Sequence, residues 1–182
     1  MKIRFALALY VGLFVMHTTG VANASDLNGV PIGASRSTVA ARFPEQKCRP
    51  ERKKMVECVV VGQTYAGQRP KQLSVAYLDD KLAGYQLHFQ GKHVDALFES
   101  IAGKLGQPNA ARSIEQSTHW YRRVAQPWES QVHRWKTPDG TEVVIVFVGT
   151  KDKTSEAPTY TTLSVSSAAY DAWLAQLMKP GS

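Results

Sequence analysis

A basic cluster is the first group of side chains with chemistry suited to binding. It lies mostly inside the segment between the two cysteines and comprises Lys47, Arg49, Arg52, Lys53 and Lys54. A covalently closed loop presents its charges with little conformational entropy left to lose, which favours recognition of an acidic surface or a phosphate. Charged loop tips are also common as simply solvated surface. Both interpretations stay open on the sequence, and Arg49, Arg52, Lys53 and Lys54 are the candidate binding residues.

A second cluster combines aromatic and basic side chains. It runs through Trp120, Tyr121, Arg122, Arg123, Trp128, His133, Arg134, Trp135 and Lys136. Trp, Tyr and Arg are the residues most enriched at binding hot spots. Side chains alternate along a strand, so half of these must point inward. The candidate binding residues are Trp120, Arg122, Arg123, Trp128, Arg134 and Trp135, and some of the tryptophans are expected in the core.

Catalytic and metal-binding patterns are missing from the sequence. It has no nucleophile elbow, HExxH motif, phosphate-binding glycine loop or dinucleotide fingerprint. His119 and His133 could meet across neighbouring strands, but two histidines without a further ligand make a poor metal site. Asp79 and Asp80 are adjacent in a turn and point apart. We expect no catalytic residue, no metal and no cofactor.

The start of the chain has the layout of a secretory signal. Lys2 and Arg4 precede an apolar run over 5–16, and small residues lead to Ala24. The apolar run is shorter than the roughly 20 residues that span a bilayer. We expect cleavage near Ala24 to release residues 25–182 as one periplasmic or secreted domain; an uncleaved anchor is the alternative. Loss of the leader lowers the net charge of +7 by two, and this mild basicity together with export excludes nucleic acid as an expected partner.

The cysteine pair predicts a disulfide. Cys48 and Cys58 are the two cysteines of the chain, and an even number in an oxidising compartment favours a bond between them. Their spacing is not CxxC, and no histidine lies beside them to suggest a redox or metal role.

Hydrophobic periodicity predicts an α+β fold. We expect helices at 36–43, at 93–105 and after Ser167, and strands at 55–61, 71–78, 82–89, 114–124, 130–137, 141–148 and 160–166. The order suggests two αβββ-type units in tandem, at 30–90 and 91–182, plus a C-terminal helix. The expected architecture is an antiparallel sheet with the helices on one face.

The stretch Ile32-Gly33-Ala34-Ser35, followed by Val39 and Phe43-Pro44, resembles a known group. It is similar to the BamE/SmpA-like outer-membrane assembly module and to the related secreted β-lactamase inhibitory proteins, whose turn into the helix reads G-M-T/S-xx-(E/Q)-V. Ala34 replaces the usual methionine and Thr38 the usual acid or amide. The resemblance covers chiefly residues 30–90 and implies a binding module, with a disulfide after the first helix and a repeated unit.

Three functions remain as hypotheses. The leading one is a non-catalytic accessory protein of the bacterial envelope that recognises another envelope or secreted protein. The second is a carrier or sensor of an anionic small ligand, an acidic surface or an envelope lipid, which would use the basic cluster. The third is a hydrolase with a site dispersed through the fold.

Overall fold

The computed structural model describes residues 26–51, 54–121, 124–150 and 159–178, with backbone alone for 113–127. The described residues form three helices and eight strands. The helices are α1 (Arg36–Arg42), α2 (Val94–Leu105) and α3 (Ala168–Leu177). The strands are β1 (Lys47–Cys48), β2 (Met55–Val60), β3 (Gln72–Leu78), β4 (Lys81–Gln90), β5 (Ala110–Tyr121), β6 (Val124–Lys136), β7 (Glu142–Thr150) and β8 (Tyr160–Ser166).

All eight strands belong to one antiparallel sheet in the order β1-β2-β3-β4-β8-β7-β6-β5. The first four and the last four strands each follow one another as a meander, and the last strands of the two runs, β4 and β8, pair with each other. The predicted α+β class and the antiparallel sheet are therefore confirmed. Each of α1 and α2 is followed by four strands. The sequence predicts only three strands after the first helix, since the two-residue β1 is too short to give a periodic signal.

Local sequence signals account for the helix ends. Ser35 begins α1, and its Oγ accepts from the backbone N–H of Thr38 at 3.2 Å. Ser167 begins α3 in the same way, with its Oγ accepting from the N–H of Tyr170 at 3.1 Å. At the end of α2, Gly106 takes a positive φ of 78°, a conformation that glycine adopts without strain.

Helices α1 and α2 cover one face of the sheet, which we call the helix face. Val39 and Phe43 near α1, and Val94, Leu97 and Ile101 of α2, are buried in the core. The strands contribute to the same core the side chains that point towards these helices: Leu73, Val75, Tyr85, Leu87, Val143, Ile145, Leu163 and Val165. Burial of these aliphatic and aromatic groups is the main stabilising contribution to the fold.

Helix α3 lies on the opposite face, which we call the open face. It lines a cavity through Tyr170, Asp171 and Leu174, together with Ser74 of β3 and Gln86 of β4. Side chains alternate between the two faces along a strand, and the sequence neighbours of Ser74 and Gln86 belong to the core of the helix face: Leu73, Val75 and Leu87. The expectation that all helices share one face is therefore wrong for α3. The apolar residues of α3 recur at helical spacing, but none of them is buried, so periodicity alone did not reveal which face it would contact.

The predicted disulfide is confirmed. Cys48 and Cys58 are directly opposite each other on β1 and β2 and form a bond with an S–S distance of 2.05 Å. None of the three described helices has the length and the apolar character that a bilayer-spanning helix needs.

Candidate functional site

The aromatic and basic residues of β6 divide between the two faces of the sheet. The Trp135 side chain is 2 % exposed, its Nε1 donates to the Gly106 carbonyl at 2.9 Å, and its ring lies 5.7 Å from that of Phe98. Trp135 is thus a core residue of the helix face, and the prediction that it binds a partner is wrong. Trp128 and Arg134 are an odd number of positions from Trp135, so they lie on the open face.

The remaining residues of this cluster are located by backbone register alone. Trp120 is opposite Ala125 in the β5–β6 pair. Among the described residues, the pairing of β6 with β7 ends at Trp128 and Thr150 and does not reach that position. Arg122 and Arg123 lie outside the described residues. Trp120, Arg122 and Arg123 therefore stay predicted binding residues. Of these three, Trp120 lies in the β5–β6 hairpin, past the described end of β7.

A patch of valines occupies the part of the open face formed by β6 and β7. Val132, Val144, Val146 and Val148 are half-buried, and the strand register brings them side by side. Two aromatic residues border this valine patch: Trp128 on β6 is half-buried, and Tyr160 on β8 is 43 % exposed. The chemistry of this part of the face is that of a protein-binding surface, since it combines contiguous apolar area with aromatic side chains.

The other part of the open face holds a polar groove, formed by β2, β3, β4 and β8 with α3 as one wall. Its volume is about 470 Å³, within the range of roughly 300–1,000 Å³ that is usual for small-molecule sites. The side chains that line it on the open face are Arg49, Glu57, Val59, Gln72, Ser74, Ala76, Gln86, His88, Ser164, Ser166, Tyr170, Asp171 and Leu174.

A chain of side-chain hydrogen bonds runs through the groove. Gln86 Nε2 donates to Ser164 Oγ at 3.0 Å, so the other end of the amide, Oε1, accepts from His88 Nε2 at 2.9 Å. His88 Nδ1 then accepts from the Thr162 hydroxyl at 3.2 Å. On the neighbouring strand, Gln72 Nε2 donates to Ser74 Oγ at 2.9 Å. These bonds hold the polar side chains in fixed orientations.

The charges at the groove largely cancel. Arg49 Nη1 lies 3.4 Å from Glu57 Oε2, and Asp171 adds one further carboxylate. Burial raises the pKa of the Tyr170 hydroxyl, and the carboxylates of Glu57 and Asp171 raise it further, so the phenol is neutral at physiological pH. The groove can offer hydrogen bonds, but its described lining residues have no surplus of positive charge for an anion.

Two described members of the basic cluster, Arg49 and Lys54, each pair with a carboxylate. Arg49 pairs with Glu57 at the groove, whereas Lys54 Nζ lies 3.4 Å from Asp79 Oδ1, next to the β3–β4 turn. Arg52 and Lys53 lie outside the described residues. The cluster's role in binding stays a prediction, and two of its charges are offset by neighbouring carboxylates.

The histidines make no metal site with the described residues, where no group of three His, Cys, Asp or Glu side chains could hold an ion. His119 is opposite Gln126, and His133 is opposite Ala111, so these two histidines do not meet across the strands. The His133 ring instead packs on Phe98 at 4.9 Å. His88 lies in the groove because β4 pairs with β8, a pairing that local sequence does not indicate.

No family model, no curated protein and no solved structure matches this chain. What the protein does is therefore inferred from its own residues.

Proposed function

We propose that this protein is an exported, non-catalytic binding protein of the bacterial envelope, and that it recognises another protein through the valine patch. The observation that carries the proposal is the group of half-buried valines Val132, Val144, Val146 and Val148 on the open face. Apolar area of this kind is costly to leave in water, and in soluble proteins contiguous patches mark interaction sites.

The neighbours of the valine patch suit a protein partner. Trp128 and Tyr160 supply rigid aromatic area at its border, the kind of side chain that contributes most at interfaces. Arg134 is exposed and bonds to Glu142 Oε1 at 3.2 Å, which provides a polar rim. The other face of the sheet is covered by α1 and α2, so the open face is the one that a partner could contact broadly.

Two tandem units would explain why the face is so wide. We infer that α1 with β1–β4 and α2 with β5–β8 are versions of one unit, joined through β4 and β8. The symmetric strand order supports this inference. The φ of +87° at Gly33, two residues before the Ser35 cap, fits the glycine-containing turn into a helix that is typical of the BamE-like modules and β-lactamase inhibitory proteins. A relationship to that group stays a proposal, since Ala34 and Thr38 depart from the motif.

Residues 1–24 act as the export signal in this proposal. The disulfide supports an oxidising location outside the cytoplasm. Cleavage near Ala24 is an expectation that N-terminal sequencing of the protein purified from the periplasm or medium would test.

The test is capture of partners from envelope extract by the purified protein, with Val146→Asp as the disrupting variant. An aspartate in the middle of the patch would add an unpaired charge to any apolar interface. The matched control is Val61→Asp, which changes an exposed valine just after β2 and outside the patch. We expect wild type and the control to capture the same protein, and Val146→Asp to capture much less of it.

Size-exclusion chromatography of the same three proteins separates a foreign partner from self-association. If the patch joins two copies of this chain, the wild type elutes as a dimer and Val146→Asp as a monomer, and the proposal of a foreign partner is wrong. Equal capture by all three folded proteins would also refute it.

A further inference from the structure

We propose that the polar groove is a second binding site, separate from the valine patch, and that it takes a neutral polyhydroxylated ligand such as a saccharide unit. This inference goes beyond the proposed function, because it concerns a different part of the open face and a different class of ligand.

Charge is the first property that selects the ligand. The Arg49–Glu57 ion pair neutralises the one described arginine at the groove, and Asp171 leaves the lining slightly negative. Among the described lining residues, a phosphate or carboxylate ligand would meet no surplus cation, and Asp171 would repel it. The remaining lining is dominated by amides, hydroxyls and an imidazole, whose interactions with a ligand are hydrogen bonds.

Hydrogen-bonding capacity is the second property. Gln86 uses one of its two amide hydrogens on Ser164 and retains the other. Ser164 and Ser74 each accept one bond and keep a hydroxyl hydrogen to donate. Each group is thus fixed by at least one hydrogen bond and still has a hydrogen to donate to a ligand, which reduces the ordering cost of binding. A ligand with many hydroxyls matches such a lining because each hydroxyl both donates and accepts.

The shape of the groove is the third property. Its floor consists of small residues, including Ser74, Ala76, Gly84 and Ser164. A Cβ at Gly84 would lie 2.8 Å from the Val165 carbonyl oxygen, so this position must stay without a side chain. The small floor leaves the volume under α3 open between the sheet and the helix.

An aromatic wall is the fourth property. Tyr170 lines the groove, and its ring stacks on Trp173 with centroids 6.0 Å apart and an angle of 18°. The stacking restrains the ring, and Leu174 adds an aliphatic contact next to it. A sugar ring presents C–H groups on its faces and hydroxyls at its edge, so it can pack on this wall while its hydroxyls reach the sheet.

The test is titration of the full-length mature protein with neutral disaccharides, monitored by amide NMR shifts. The probes are maltose, cellobiose and N,N′-diacetylchitobiose, with galacturonic acid as the anionic comparison. We expect at least one neutral disaccharide to shift the signals of Gln86, His88 and Ser164, and galacturonic acid to bind more weakly. Co-sedimentation with insoluble cellulose and chitin shows whether the natural source is a polymer or a free sugar.

The variants are Gln86→Ala and Tyr170→Ala, and each should raise the Kd more than about tenfold. The matched control is Gln90→Ala, which removes the same side chain four residues further along β4, outside the groove, and should leave the Kd unchanged. Gln86→Glu keeps the shape but loses the donor to Ser164, so it tests the site if the alanine variant is unstable.

Two outcomes would overturn the proposal. One is the absence of shifts at these three residues with every disaccharide up to about 10 mM, a concentration that detects even very weak sites. The other is an unchanged Kd in folded Gln86→Ala and Tyr170→Ala. Val146→Asp should bind the sugar normally, and Gln86→Ala should capture the protein partner normally, so failure of one proposal is distinguishable from failure of the other.

Discussion

Replacement of Trp135 by alanine tests the assignment of the two sheet faces most directly. The indole is fully buried against α2, and truncation of a buried tryptophan costs about 3–5 kcal/mol. That loss already includes the hydrogen bond to the Gly106 carbonyl, which contributes about 1 kcal/mol. In a chain of this size, each kcal/mol lowers the Tm by about 2–4 °C, so we expect a decrease of about 6–20 °C.

The assays are thermal unfolding for the Tm and urea unfolding for the free energy, both followed by far-UV circular dichroism, because tryptophan fluorescence changes with the substitution itself. Trp135→Phe keeps an aromatic ring and should lose only about 1–2 kcal/mol, chiefly through the missing donor to Gly106. Trp128→Ala is the matched control on the same strand, and as a half-buried residue it should lose less than about half as much as Trp135→Ala. Equal losses at the two positions, or a loss below about 1 kcal/mol for Trp135→Ala, would refute the division of β6 between the faces.

Three further predictions follow from individual contacts. Replacing both Cys48 and Cys58 by alanine should lower the free energy of unfolding in urea by about 3 kcal/mol, because the unfolded chain gains the freedom of the opened loop; unchanged stability would contradict this. Burial raises the pKa of Tyr85 well above its ordinary value, so the contribution of the neutral phenol to the free energy of unfolding is complete below about pH 10 and is lost as the pH rises further. Tyr85→Phe should reduce this alkaline loss in a pH series of urea midpoints, and an identical loss in the variant would exclude Tyr85 as a cause. Hydrogen bonds from Thr137 and Thr141 lower the pKa of Asp139, so the stabilisation that its carboxylate gives the fold is present above about pH 4 and is lost as the pH falls. The difference in stability between wild type and Asp139→Ala should therefore shrink on acidification, and a constant difference would contradict the lowered pKa.

The local elements were predictable because each has a strong short-range signal. The stripe of Val94, Leu97 and Ile101 located α2 to within a residue. The β3–β4 hairpin follows from alternating strands around a short polar turn, in which Asp79 and Asp80 both take positive φ, as the tight turns of hairpins require. The disulfide followed from the cysteine count and the expected compartment.

Tertiary choices were not predictable in the same way. Whether Trp128 or Trp135 enters the core depends on register, and a shift of one residue would exchange them. Helix α3 has apolar residues at helical spacing, but only the chain's path after β8 decides which face it meets. The polar groove combines residues that are up to 125 positions apart, from Arg49 to Leu174, so no local pattern in the sequence marks it.

The pairing of β4 with β8 links the fold to both proposed sites. Gln86 is directly opposite Ser164, and His88 is directly opposite Thr162, so the hydrogen-bond chain of the groove crosses the junction between the first and second runs of strands. The groove therefore requires both runs, while the valine patch lies on β6 and β7 within the second run alone. A change that loosens the β4–β8 junction should thus impair the groove before it affects the valine patch. The two sites are separable on one sheet because the groove depends on the β4–β8 junction and the valine patch does not.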